Sequence, residues 1–159
     1  MPADNVKEYL KSKGLEHTIE SHAGSIDTVE HAAQQIGCTE AEIAKTLSFL
    51  VDEKPVIVVM AGDARVNSSK FKAKFHTKPH MIPREQVVEL IGYEPGGVCP
   101  FAIKEGVPVW LDESMKRFEV VHPAAGDDYT SARMTLDELF SASDAEGWCD
   151  VCKGWDEPA

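Results

Sequence analysis

The sequence predicts an α+β fold, and three observations carry that prediction. First, β-rich runs cluster in the middle of the chain, at residues 46–51 and 56–61 and again at 98–103, 107–111 and 118–122. Second, helical patterns sit unevenly among these runs, which argues against regular βαβ winding. Third, Pro55-Val56-Ile57-Val58-Val59-Met60 shows no polar alternation, the pattern of a central strand buried on both faces.

Each element has a local reason. Residues 3–13 place Val6, Tyr9 and Leu10 on one helical face and end at Gly14, a residue suited to the left-handed cap. Residues 15–22 alternate, with His17, Ile19 and Ser21 opposed to Thr18, Glu20 and His22, as a strand would. Thr28 is placed to cap a helix with Val29, Ala32, Ala33 and Ile36 on one face, and Gly37 stops it. Thr39 and Glu42 have the spacing of a capping box, and the short helix they open is expected to carry Lys45. Asp52-Glu53-Lys54-Pro55 then turns the chain between the first two strands.

Helices are expected over 67–75 and over 84–91, the second closed by Gly92. After them come the glycine loop Gly96-Gly97-Val98-Cys99-Pro100 and the strands at 98–103, 107–111 and 118–122. Thr135 and Glu138 repeat the capping-box spacing, and a last strand covers 148–151. No repeat or linker interrupts the pattern, so one domain over residues 1–159 is expected.

A chain of 159 residues with 43% hydrophobic content can bury a sizeable core. Its formal charge of -11 argues against wholesale attraction to nucleic acid or to an anionic membrane, so any nucleic-acid contact must be local. No apolar run approaches the roughly 18 residues a membrane helix needs, and residues 1–14 are too polar for a signal peptide. A cytoplasmic protein with no membrane partner and reduced cysteines is expected. The four cysteines, Cys38, Cys99, Cys149 and Cys152, are too scattered for a disulfide framework.

Four constellations could carry chemistry. Lys45 stands where the chain enters a buried strand, either to bind an anionic group or to snorkel its ammonium to water. The paired glycines Gly96 and Gly97 either turn the chain or point N–H groups at a developing oxyanion. Residues 64–84 contain no acidic residue and carry Arg65, Lys70, Lys72, Lys74, Lys78 and Arg84. With Phe71 and Phe75 interleaved, this window either tracks a nucleic-acid backbone and stacks a base or is an ordinary solvated face over two core rings. The segment 122–127 joins a strand to a turn, where His122 could border a pocket.

Other chemistry is not visible. Cys149 and Cys152 have the thioredoxin spacing without the following βαβ unit, and no second Cys-x-x-Cys completes a zinc site. No His-Glu-x-x-His pair and no Gly-x-Ser-x-Gly elbow occurs. Neither metal nor cofactor is expected.

Ala44-Lys45-Thr46-Leu47, the strand and turn at 56–63, Gly96-Gly97-Val98-Cys99-Pro100 and Ala124-Ala125-Gly126, in this order, resemble the YbaK/prolyl-tRNA synthetase-associated editing domain family. The resemblance covers nearly the whole chain and suggests a free-standing member. It implies an α+β fold on a mixed, barrel-like sheet flanked by helices. It also implies hydrolysis of the ester between a wrong amino acid and the tRNA 3′-end.

On that resemblance Lys45 is the functional lysine, and the amides of Gly97 and Val98 stabilise the oxyanion. Thr46, His22, Gly96, Cys99, Pro100, His122, Ala124 and Gly126 would contact the substrate, and the basic window, not the resemblance, offers Lys70, Lys72 and Lys74 to the tRNA. Thr46 resembles members acting on Cys-tRNA, His122-Pro123 resembles alanine-specific members, and residues 124–128 depart from both patterns. The implied partners are mischarged aminoacyl-tRNA, Cys-tRNA-Pro or another small-side-chain species, and prolyl-tRNA synthetase; DNA is not among them. The rival class is a module that binds aminoacyl-tRNA or a nucleotide without turnover.

Overall fold

The computed structural model describes residues 2–94 and 98–155. Its centre is the hairpin of β2 (Ile43–Val51) and β3 (Lys54–Ala61), paired antiparallel in register from Ala44 opposite Ala61 to Val51 opposite Lys54. Asp52 and Glu53, both at positive φ, form a two-residue turn whose twist matches that of the strands it joins. The turn is thus shorter than the expected 52–55: Lys54 already belongs to β3, and Pro55, at the head of the apolar run, lies opposite Leu50.

Four more strands extend the hairpin. They are β5 (Val109–Asp112), β6 (Val120–Pro123), β8 (Met134–Thr135) and β9 (Gly147–Cys149). The order β8-β6-β2-β3-β5-β9 makes a mixed six-stranded sheet that curls into a half-barrel, flanked by five helices. β3 is central, and its residues from Val56 to Ala61 are buried, as an unbroken apolar run requires. Two small ladders lie outside the sheet: β1 (Ile19–Ser21) with β7 (Thr130–Ala132), and β4 (Arg65–Val66) with β10 (Cys152–Lys153).

The helices are α1 (Pro2–Ser12), α2 (Val29–Ile36), α3 (Ser68–Phe75), α4 (Arg84–Ile91) and α5 (Leu136–Ala142). Thr28, Asn67 and Thr135 cap α2, α3 and α5 with their side chains, and Gly37 and Gly92 close α2 and α4 at positive φ. Val6 and Leu10 of α1 are buried in the main core. A second, smaller core beneath α2 joins Ile26, Ala32, Ala33 and Ile43.

Three local expectations are corrected. The Thr39–Glu42 capping box forms, but it opens only a 3₁₀ turn, Glu40–Glu42, and Lys45 belongs to β2 instead of a helix. Sheet pairing with β3 and β6 captures Ile43 onwards, so tertiary ladder bonds override the local helical signal. Residues 98–103 form no strand: Pro100 has no N–H, Ala102 sits at positive φ, and the Tyr93 hydroxyl binds the Phe101 carbonyl. Residues 15–22 give a 3₁₀ turn, Glu16–Thr18, ahead of the three-residue β1.

Candidate active site

Parallel pairing of β2 with β6 sets Ile43 beside His122 and Ala44 beside Pro123. Where these strands meet α2 and β7, a cavity of about 160 Å³ opens. Ile26, Val29, Ala32, Ile36 and Ile43 make one side apolar, while Lys45, Thr46, His122 and Ser131 bring polar groups, with Val98 and Ala124 completing the wall.

The ammonium of Lys45 reaches past the end of β3 and donates to the carbonyls of Gly62, at 3.4 Å, and Ala64. Described residues thus accept two of its three N–H groups. Burial pushes its pKa down, against the opposing pull of Cys152 and Asp63. The turn that presents these carbonyls is itself fixed, because Arg117 holds Asp63 at 2.6 and 2.9 Å. Gly62 is required by close approach: a Cβ there would lie 2.1 Å from the Glu40 carbonyl oxygen.

Thr46 Oγ1 and His122 Nδ1 are buried and find no hydrogen-bond partner among the described residues. More than about nine in ten buried polar groups in native proteins are satisfied, so two such atoms on one cavity are groups that a ligand there would satisfy. Burial lowers the His122 pKa, more than Glu20 and Glu42 raise it, which favours the neutral ring. Ser131 Oγ is bound instead by His22 Nε2 at 2.7 Å.

Of the sequence-derived residues, Lys45, Thr46, Val98, His122 and Ala124 line this cavity. His22 reaches it only through Ser131. Gly96 and Gly97 lie outside the described residues. Cys99 belongs to the core: it is fully buried, its thiol is bonded to the Phe101 carbonyl, and burial pushes its pKa up to about 11. Pro100 borders a different cavity, with Tyr9 and Asp144. Gly126 turns the chain after β6 at φ 114 and does not line the cavity.

The basic window divides. Phe71 and Phe75 are core rings, packed in series with Phe49 and Trp110, so neither is presented to stack a base. Lys70 pairs with Asp150 and the Cys152 carbonyl, Lys74 lies 3.7 Å over Trp110, and Lys72 is exposed. All four cysteines are free. Burial pushes the Cys149 and Cys152 thiols up, Cys149 to about 12, the opposite of a redox-active thiolate.

Sequence reasoning missed Ser131, the α2 wall and the carbonyls of Gly62 and Ala64. The helical spacing of Val29, Ala32 and Ile36 showed an apolar face there but not that it borders a cavity, because what an apolar face packs against leaves no mark in its own spacing.

A family model described as aminoacyl-tRNA editing domain matches residues 23–142. The uncharacterised protein YwhH of Bacillus subtilis (strain 168) is 36% identical over 157 residues, 98% of this chain and 100% of that one. Proline--tRNA ligase of the same organism is 29% identical over 106 residues, 66% of this chain but only 18% of the ligase. A crystal structure described as that of a candidate trans-editing enzyme for prolyl tRNA synthetase superposes with a TM-score of 0.86 at 27% identity, covering 96% of this chain and 98% of that one.

Proposed function

This chain belongs to the aminoacyl-tRNA editing domain family, and from that premise we propose that it hydrolyses the ester linking a small, wrongly attached amino acid to tRNA. Cys-tRNA-Pro is one such substrate. The observation that carries the reading is the convergence of Lys45 with the unpartnered Thr46 Oγ1 and His122 Nδ1 on one cavity beside the apolar face of α2.

Each part has a task in that reaction. A volume of about 160 Å³ suits an amino acid with a small side chain, which would rest on Val29, Ala32, Ile36 and Ile43. The remaining Lys45 N–H would hold an oxygen of the aminoacyl ester, and the amide of Val98 would face the carbonyl oxygen as it gains charge. Thr46 and His122 would hydrogen-bond the amino acid's polar groups. An ester is already activated, so positioning it against water supplies much of the rate.

A neighbouring cavity of about 230 Å³ shares Thr46 and Val98 with this one and brings Arg84 to its wall. It would receive the terminal nucleotide, with Arg84 against a phosphate and Lys72 farther along the backbone. Prolyl-tRNA synthetase is the proposed partner and the cytoplasm the proposed location. Among the described residues no helix is long and apolar enough to cross a membrane.

The test is a deacylation panel of Cys-, Ala-, Ser-, Thr- and Pro-tRNA with the purified chain. Release of at least one small amino acid from a non-cognate tRNA is expected. Flat time courses on every member, with tRNA still bound, would replace the enzyme by a binding module.

A further inference from the structure

We propose that Ser131 and His22 form a proton-transfer pair serving this cavity, a refinement that rests on the hydrolytic reading above. Hydrolysis of an ester must move a proton away from the attacking water and deliver one to the departing ribose oxygen. Lys45 is poorly placed for that task, because its ammonium is occupied as a donor to two carbonyls. His122 borders the cavity, but among the described residues its Nδ1 has no partner through which a proton would pass on to solvent, and its place in the reading above is to bind the substrate.

Ser131 differs. The residue is 1% exposed and lines the cavity, and its Oγ lies 2.7 Å from the Nε2 of His22, which is half-buried and so has access to bulk water. A buried hydroxyl on a residue of the cavity wall and a partly solvated imidazole bonded to it make a path from the reacting centre to solvent. Both are held by backbone: β7 pairs with β1, setting Ser131 opposite Glu20, and the N–H of His22 donates to the Tyr129 carbonyl. A hydroxyl within hydrogen-bond reach of a histidine is also the arrangement by which serine is activated in hydrolases on other folds. With the Ser131 hydroxyl donating, Nε2 is the unprotonated nitrogen, as a proton acceptor must be.

The step balances. Water adds to the ester carbonyl carbon, its proton passes to Ser131 Oγ, and the Ser131 proton passes to His22 Nε2, while the carbonyl electron pair moves onto oxygen. When the tetrahedral centre collapses, the bond to the ribose oxygen breaks. The imidazolium then returns its proton through Ser131 to that oxygen. Water is consumed, a free amino acid and a tRNA hydroxyl form, and the pair ends as it began. Ser131 is the catalytic residue, and His22 acts through it.

Ser131→Ala, His22→Ala and the double variant test this on whichever aminoacyl-tRNA the wild-type chain hydrolyses, with thermal unfolding to check the fold. Each single variant is expected to lose about 10²-fold or more in kcat with KM within about threefold. Added imidazole, after subtraction of the enzyme-free rate, is expected to restore His22→Ala but not the double variant. A structural tie between β1 and β7 would not be mended by imidazole. Wild-type kcat in either single variant, no rescue of His22→Ala, or equal rescue of the double variant overturns the pair. Where His22→Ala fails to fold, His22→Gln takes its place for kcat, and wild-type kcat in it overturns the pair equally. A wild-type chain inactive on the whole panel instead overturns the hydrolytic reading, and the pair with it.

Discussion

Arg117 grips Asp63 with two guanidinium nitrogens, at 2.6 and 2.9 Å, and thereby fixes the turn whose carbonyls hold the Lys45 ammonium. Arg117 in turn donates to the carbonyls of Ser114 and Trp155, so three separate segments steady one lysine. The stem of Lys45 comes from β2, but the position of its charge is set by residues 17 to 19 positions farther along.

That pair has a pH signature. The Arg117 guanidinium holds the Asp63 carboxyl below its ordinary value. A carboxyl more acidic in the folded chain stabilises the fold above its unfolded pKa and loses that contribution as pH falls through the folded one. Asp63→Asn should therefore lower stability by about 1 kcal/mol or less at neutral pH, the partners being partly exposed. The gap from wild type should close on acidification below the ordinary carboxylate range. Urea titrations at several pH values would measure it.

Lys45→Ala should leave a folded chain and reduce deacylation by at least about 10²-fold, the scale of losing one preorganised donor. Lys45→Arg should not restore the rate, since a planar guanidinium cannot place its charge between the Gly62 and Ala64 carbonyls as an ammonium does. Single-turnover deacylation with circular dichroism would check both.

Gly62→Ala should be among the more damaging small substitutions, because its Cβ would meet the Glu40 carbonyl oxygen at 2.1 Å and Val29 Cγ1 at 2.9 Å. Overpacking of this kind costs about 1–3 kcal/mol. The strain falls on a carbonyl that binds Lys45, so activity and melting temperature should drop together.

Thr46→Val should separate the two. It removes a buried hydroxyl that has no partner among the described residues, so the unliganded chain should gain up to about 1 kcal/mol. A ligand that uses that hydroxyl should bind more weakly, and kcat/KM should fall while the melting temperature rises. Equal kcat/KM would show that the hydroxyl does not meet substrate.

For tRNA docking, Lys72→Glu is the informative charge reversal, since Lys70 and Lys74 are engaged by Asp150 and Trp110. It should raise KM more than it lowers kcat and flatten the salt dependence of KM. An unchanged KM at physiological salt would place docking elsewhere.

Features whose causes lie within a few residues are legible in the order of the amino acids. Thr28 and Thr135 satisfy the orphan N–H groups of helices that begin beside them, Gly37 and Gly92 end helices at positive φ, and the run at 55–60 has the composition of a doubly buried strand. The ordered motifs around Lys45 and Ala124 likewise announced the family. Which residues meet depends instead on how distant segments pack. Lys45 lies in a strand because β3 and β6 pair with it, Phe71 and Phe75 face the core because Phe49 and Trp110 wait there, and Ser131 reaches the cavity because β7 pairs with β1. A cap is a contact between near neighbours and leaves a mark in the spacing of letters. A cavity is space left between segments distant in the chain, and whether a hydroxyl or an imidazole beside it finds a partner depends on packing that no local pattern encodes.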